Sequence, residues 1–189
     1  MKAINTYYNG NYFRSRLEAR WAVFFDLIGV KYTYEATGFK NEKAEYYLPD
    51  FHLHNVFLRS GDIDIKEYGI NVKAADGIYL EIKPLSFTEC TIKQAEWFTK
   101  PLVLFKDNPI KGIWIGQYDN DNYQLTPYWD DYMAFWKCHN CGQVKVEFLE
   151  GNYDYCPVCK SEGCDYTIED AALKATMTRF EHLSHDSAI

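Results

Sequence analysis

From Phe13 to Ile28 apolar side chains recur at three- and four-residue steps, and Leu17, Trp21, Phe24, Phe25 and Ile28 predict one apolar stripe on a helix. Ser15 and Glu18 stand three positions apart, the spacing of a capping box, and Gly29 closes the segment. The period then changes. Val30 to Glu35 (VKYTYE) alternates and is rich in strand formers, so it predicts a strand. Glu42 to Leu48 is polar and aromatic, a turn into a second strand that passes Pro49-Asp50-Phe51. Phe57 to Gly77 is crowded with charges and glycines and reads as an irregular hairpin or insertion. Ile78 to Ile82 (IYLEI) fits a central strand, closed by Lys83-Pro84 because proline cannot donate to a ladder. A helix over Thr91 to Thr99, short strands at Leu102 to Phe105 and Ile110 to Ile115, and a last helix over Glu169 to Leu183 complete the pattern. Asp170 early and Arg179 and His182 late suit the dipole of that last helix.

Helix, strands, helix, strands is the order of an α/β core with a mixed sheet. A boundary is expected near Trp129 to Tyr132, dividing the chain into a core (1–130), a cysteine-bearing module (131–168) and a C-terminal helix and tail (169–189). The 189 residues are 47% hydrophobic and 17% aromatic, enough to build a core. No stretch approaches the ~20 apolar residues that span a bilayer, and Met1-Lys2-Ala3 leads into no apolar run, so a soluble, unexported, cytoplasmic protein without membrane contact is expected. The net charge of -7, from 27 acidic and 20 basic residues, repels a nucleic-acid backbone on average. A phosphate backbone, however, meets one face, and the local residues decide.

The chemistry concentrates at Asp50 and at Glu81-Ile82-Lys83. Residues two apart on a strand leave the same face, so Glu81 and Lys83 point together. If their strands are neighbours, Asp50 and Glu81 can hold Mg²⁺ (or Mn²⁺) between them, since hard cations take carboxylate oxygens. Such an ion polarises a phosphodiester and acidifies a water, while Lys83 assists the attacking water and offsets transition-state charge.

Pro49-Asp50 with Glu81-Ile82-Lys83 resembles the motif of the PD-(D/E)xK nuclease superfamily, whose fold is restriction-endonuclease-like. The stretches FRSRLEARWAVFFDLIGV, YLPDF and YLEIKP are similar to those of phage and bacterial proteins of this kind, over roughly residues 10–117. The resemblance implies a four-stranded mixed sheet flanked by helices, with metal held by Asp50, Glu81 and the Ile82 carbonyl and Lys83 beside the attacking water. It also implies a contribution from Glu18, which stands where many members place a glutamate on an N-terminal helix. Asp50 and Glu81 lie far apart in sequence, and between them stands a rival pair, Asp64 and Lys66 in GDIDIKEYG. Glu81 is preferred because IYLEIKP is bounded like a buried strand, whereas GDIDIKEYG is crowded with exposed charge.

Arg14, Arg16 and Arg20 flank Glu18, placed either to meet phosphates or to form a solvated helix face. Lys93 and Gln94 follow the motif and suit backbone or water positioning, or a plain polar surface. His52 and His54 alternate after Asp50, but with no third ligand they read as surface or supporting histidines. Tyr7, Tyr8, Tyr12, Tyr46, Tyr47, Trp129, Tyr132 and Trp136 either stack on bases or fill cores and seams, the commoner use.

Two CxxC pairs, Cys138/Cys141 and Cys156/Cys159, frame a strand and turn (VKVEFLEG). Four thiolates at this spacing resemble a zinc ribbon, a structural Zn²⁺ site with no open position for catalysis. His139, Cys90 and Cys164 stay outside that set, with Cys164 a substitute for Cys159 in a variant geometry. Two functions follow: a Mg²⁺-dependent deoxyribonuclease in a bacterial or phage-infected cell, or a non-catalytic nucleic-acid- or protein-binding module whose working part is the ribbon. The ribbon also suits a homodimer contact or a protein partner.

Overall fold

A computed structural model of the chain describes residues 3–59, 77–84, 88–98, 100–109, 113–114, 133–148, 156, 158–161, 164–165 and 167–180. Asp64, Lys66, Trp129, Tyr132 and His182, and with them the expected domain boundary, lie outside the described residues. The protein is mixed α/β, with several sheets and, among the described residues, three helices.

Helix α1 (Arg16–Ile28) starts where the capping box places it. Ser15 Oγ accepts the Glu18 N–H at 3.1 Å and donates to Glu18 Oε1 at 2.7 Å. Gly29 ends the helix at φ 78°, a left-handed conformation glycine adopts without penalty. Trp21, Phe24, Phe25 and Ile28 are almost wholly buried, a contribution of ~1.5–3 kcal/mol for each large apolar side chain.

Strands β1 (Thr6–Tyr8) and β2 (Asn11–Phe13) form a hairpin ahead of α1. Then come β3 (Lys31–Tyr34), the small hairpin of β4 (Phe39–Lys40) and β5 (Tyr46–Tyr47), β6 (Phe51–His54), β7 (Val56–Arg59) and β8 (Ile78–Lys83). Helix α2 (Glu89–Glu96), capped by Thr88, precedes β9 (Leu102–Lys106) and β10 (Ile113–Trp114). The central sheet has the order β10-β9-β8-β6-β3. It is mixed: β8 and β9 run parallel, and the other pairings are antiparallel. Gly77 (φ 85°) enters β8, where a Cβ would stand 2.0 Å from the Leu53 carbonyl oxygen, so only glycine lets β8 close on β6.

One face of this sheet, with Phe51, Leu53, Ile78, Leu80 and Ile82, packs into a core shared with α1. On the other, Leu102 and Leu104 pack with Ala95 and Phe98 of the α2 segment and with Tyr47.

The C-terminal part contributes β11 (Met133–Cys138), β12 (Val144–Phe148), β13 (Cys164–Asp165) and helix α3 (Thr167–Met177). A second sheet, β13-β11-β12-β7, takes its edge strand from the segment expected to be irregular: Val56 to Arg59 pairs parallel with β12. That partner lies far away in sequence, so no local pattern announces it. Phe135, Val144, Val146, Ala171, Ala172 and Ala175 join the same core as α1. Helix α3 stops at Met177, short of the expected Leu183, where Thr178 turns its N–H to the Ala175 carbonyl and its hydroxyl to that of Lys174. Among the described residues no helix is long and apolar enough to cross a membrane.

Candidate functional site

Strand register assembles the first site. Phe51 pairs with Leu80 and with Tyr34. One step beyond, Asp50 stands opposite Glu81 on one side and Glu35 on the other, where the Glu35 N–H donates to the Asp50 carbonyl at 3.0 Å. A row of three carboxylates therefore crosses the sheet, Glu35, Asp50 and Glu81, with Lys83 two residues along from Glu81.

Asp50 is 1% exposed and Glu81 4%. Asp50 Oδ2 accepts the Ile82 N–H at 2.7 Å, and Oδ1 accepts Arg14 Nη2 at 2.9 Å. Arg14 also places Nε 2.5 Å from Glu35 Oε1. Glu81 pairs with Lys83 through Oε1 and accepts the Tyr47 hydroxyl at 3.1 Å through Oε2. Glu18, buried on α1, faces the same cluster. Its Oε2 accepts the Tyr34 hydroxyl at 2.5 Å and the Arg14 N–H at 3.1 Å.

Four carboxylates thus meet two cations. Burial first, and then the negative charge of Glu81, push the Asp50 carboxyl up to about 8, against the pull of Lys83 and the Ile82 N–H. Lys83 goes the same way: burial works to discharge it, but the Asp50 and Glu81 charges prevail and raise it, so its ammonium is held protonated.

The spacing prediction for Glu81 and Lys83 and the placement of Asp50 beside them match this geometry. Sequence reasoning missed Glu35, Tyr34 and the contact of Arg14 with Asp50. Glu35 closes the strand-like run VKYTYE, but only cross-strand register shows where it points. Tyr47 is buried, with its ring against Phe98 and its hydroxyl on Glu81, so it offers no open stacking face. Of the other arginines, Arg20 reaches Asn108 at 3.3 Å. Lys93 pairs with Glu89, and Gln94 donates to the Tyr46 carbonyl, bracing the β4–β5 hairpin against α2. His52 stacks on Tyr79 at 4.3 Å, and His54 Nε2 lies 2.7 Å from Thr33 Oγ1.

The second site is built from two turns of like geometry. In the first, the Gly142 N–H donates to the Cys138 carbonyl at 2.8 Å and the Cys138 N–H to the Gln143 carbonyl at 2.9 Å. In the second, Lys160 donates to Cys156 at 3.1 Å and Cys156 to Ser161 at 2.9 Å. Gly142 (φ 70°) and Lys160 (φ 62°) both take the left-handed conformation after the second cysteine of their pair. The turns bring the sulfurs of Cys138, Cys141, Cys156 and Cys159 all within 4.8 Å of one another, a cluster able to hold a metal ion. Among the described residues this is the one group of three or more His, Cys, Asp or Glu side chains gathered so as to hold a metal ion. The Ser161 hydroxyl, 2.9 Å from Cys159 Sγ, leads its own N–H in pushing that thiol down to about 5. Cys164 pairs with Cys138 through the backbone of β13 and β11.

This cysteine turn touches the core twice. Lys137 Nζ donates to the Ile28 carbonyl at the end of α1 at 2.9 Å, and Gln143 Nε2 to the Asn55 carbonyl between β6 and β7 at 2.5 Å.

Comparison with known proteins gives no match to this chain among family models, curated proteins or solved structures.

Proposed function

We propose that the chain is a divalent-metal-dependent nuclease of the PD-(D/E)xK kind that hydrolyses DNA phosphodiester bonds, with a structural zinc at its four cysteines. The observation that carries the reading is Asp50 opposite Glu81, with Lys83 paired to Glu81, on the central strands of a mixed sheet flanked by α1 and α2. The chain order α1, β3, β6, β8, α2, β9, with these four strands in one mixed sheet to which β10 adds a fifth, supports the reading.

The donor set suits a hard dication: all oxygen, buried, and, once Asp50 gives up its proton, two negative charges in excess. Asp50, Glu81 and the Ile82 carbonyl would hold it, with Glu18 beside them. When bound, it polarises the phosphodiester and lowers the pKa of a water. Glu81 orients Lys83, whose ammonium offsets the charge that grows on the phosphoryl oxygens as water attacks phosphorus and the sugar oxygen leaves. Because Lys83 is held protonated, its part is that of a fixed charge and donor. Tyr47 and Tyr34 hold the Glu81 and Glu18 carboxylates from behind. At the cysteines, four thiolates within tetrahedral reach suit Zn²⁺.

The test is cleavage of linear, nicked, branched and single-stranded DNA with Mg²⁺ or Mn²⁺, by the parent and by Asp50→Asn, Glu81→Gln and Lys83→Ala. The acidic variants should be inactive. Lys83→Ala should lower the single-turnover rate ~10²-fold or more while binding to uncut DNA in Ca²⁺ changes little. Lys83→Arg should fail as well, since the guanidinium is larger and planar. Activity that survives Asp50→Asn with Glu81→Gln would overturn the reading, and a parent that binds DNA without cutting would leave the module a binding scaffold.

A further inference from the structure

Arg14 meets Asp50 from the end of a long, mobile type of side chain, with Nη2 2.9 Å from Oδ1. Its guanidinium is divided between two carboxylates, Nη2 on Asp50 and Nε on Glu35. Its main chain is anchored separately, since its N–H reaches both Glu18 Oε2 and the Tyr34 hydroxyl. The side chain can therefore move while the backbone and Glu18 stay in place. The exposures differ sharply: the Arg14 side chain is 56% exposed, Glu35 23% and Asp50 1%. Leaving Asp50 returns an already half-solvated group toward water, and little packing is lost. Lys83, at 29% exposure on a central strand and bound to Glu81, is less free to leave.

We propose that Arg14 is an exchangeable counter-cation, displaced from Asp50 when a divalent metal is taken up and then offered, on its Glu35 tether, to a phosphate of the substrate. This rests on the nuclease reading above. The charge count drives the exchange: with Asp50 ionised, as a bound cation requires, Glu18, Glu35, Asp50 and Glu81 face only Arg14 and Lys83, so a dication restores neutrality and removes the excess that holds Arg14 on Asp50. Glu35 is beyond the implied ligand set and keeps its hold on Nε. The freed edge of the guanidinium carries paired N–H donors, the fork that matches a phosphate. Arg14 is then a positioning residue in the ion-free state and a substrate contact in the loaded one.

The experiment is calorimetric titration of Mn²⁺ into the full, zinc-loaded chain, beside oligonucleotide binding in Ca²⁺ over a range of salt. Arg14→Gln removes the competitor, so Mn²⁺ affinity should rise on the order of fivefold or more, the lower end of ordinary coupling between sites. DNA binding should weaken, with the salt slope falling by roughly one unit. Arg14→Lys keeps the charge but cannot span both carboxylates, and it should raise Mn²⁺ affinity to a smaller degree in a folded protein. Unchanged or weaker Mn²⁺ binding in both variants overturns the exchange. Tighter Mn²⁺ binding with unaltered DNA affinity and salt slope overturns the phosphate contact. A parent whose Mn²⁺ binding is the same as that of Asp50→Asn sinks the underlying nuclease reading, whatever the Arg14 variants do.

Discussion

The carboxylate cluster and the cysteine cluster are put together in opposite ways. Glu18, Glu35, Asp50 and Glu81 come from α1, the end of β3, the start of β6 and the middle of β8, and they meet because the whole sheet is in register. Each carboxylate already has partners within the protein: a tyrosine, an arginine, a lysine or a backbone N–H. The four cysteines instead come from two short turns that each repeat the same backbone bonds, joined to the core by Lys137 and Gln143. Four thiols facing one another have little reason to stay together without an ion. The difference is one of construction: register across a whole sheet gathers the first site, whereas two local turns gather the second into a cluster able to hold an ion.

The largest effect should therefore come from Cys156→Ser. Zinc content, expected at about one atom per chain, should vanish. Because Val144, Val146 and Ala172 share the core of α1, the loss should be felt through the molecule and exceed ~4 kcal/mol in urea unfolding, the range in which losing a metal belongs. Withholding Mg²⁺ should leave the fold intact. A Cys156→Ser protein with the parent's unfolding midpoint would break the contrast.

The same contrast governs what can be read from the chain. Local signals sufficed for α1, since Ser15, Glu18 and Gly29 act within one turn of its ends, and for the cysteine turns, whose spacing is their geometry. Asp50, Glu81 and Lys83 were legible as a motif, and the alternation of β8 told which face Glu81 and Lys83 share. Glu35 was not, because it matters only through its register with Asp50. Nor was β7, whose partner β12 lies across the chain. The β1–β2 hairpin does have a local signal, Asn9-Gly10, with φ of 46° and 85° as a two-residue turn needs, but the helical stripe that follows outweighs it when periodicity alone is read.

A smaller effect sharpens the comparison through pH. Asp50 sits at about 8 in the folded, ion-free protein against an ordinary 3.8, so the folded state binds its proton more tightly than the unfolded chain does. The sign follows: the stabilising contribution is full below about pH 4 and is lost as pH rises through about 8. Thermal melts of zinc-loaded protein without Mg²⁺ should fall in midpoint from pH 5 to pH 9 more steeply than those of Asp50→Asn, which has no proton to lose. Adding Mg²⁺ should flatten the parent's slope, since the cation takes the place of the proton. Equal slopes for parent and variant would show that burial of Asp50 leaves no mark on stability.

The smallest expected effect separates a helix cap from a site. Ser15 caps α1 and also donates to Glu18 Oε1, whereas Thr88 caps α2 through the Thr91 N–H at 3.2 Å and places its hydroxyl 3.0 Å from that of Thr91. Both caps satisfy an N–H that the first turn leaves without a helical partner, so Ser15→Ala and Thr88→Ala should each cost ~1 kcal/mol of stability. Their consequences for the site should differ. Without Ser15 Oγ, Glu18 Oε1 loses its donor while Oε2 keeps Tyr34 and Arg14, so the carboxylate is left free to turn. Mn²⁺ affinity and turnover should then fall in Ser15→Ala by roughly 10-fold, the low end of the 10- to 100-fold range seen when a group supporting a metal ligand is removed. Thr88→Ala should match it in melting temperature and leave both readouts at the parent level. Were the two alanine variants to lose the same activity, the capping serine would serve the helix alone, and Glu18 would owe its orientation to Tyr34 and the Arg14 N–H.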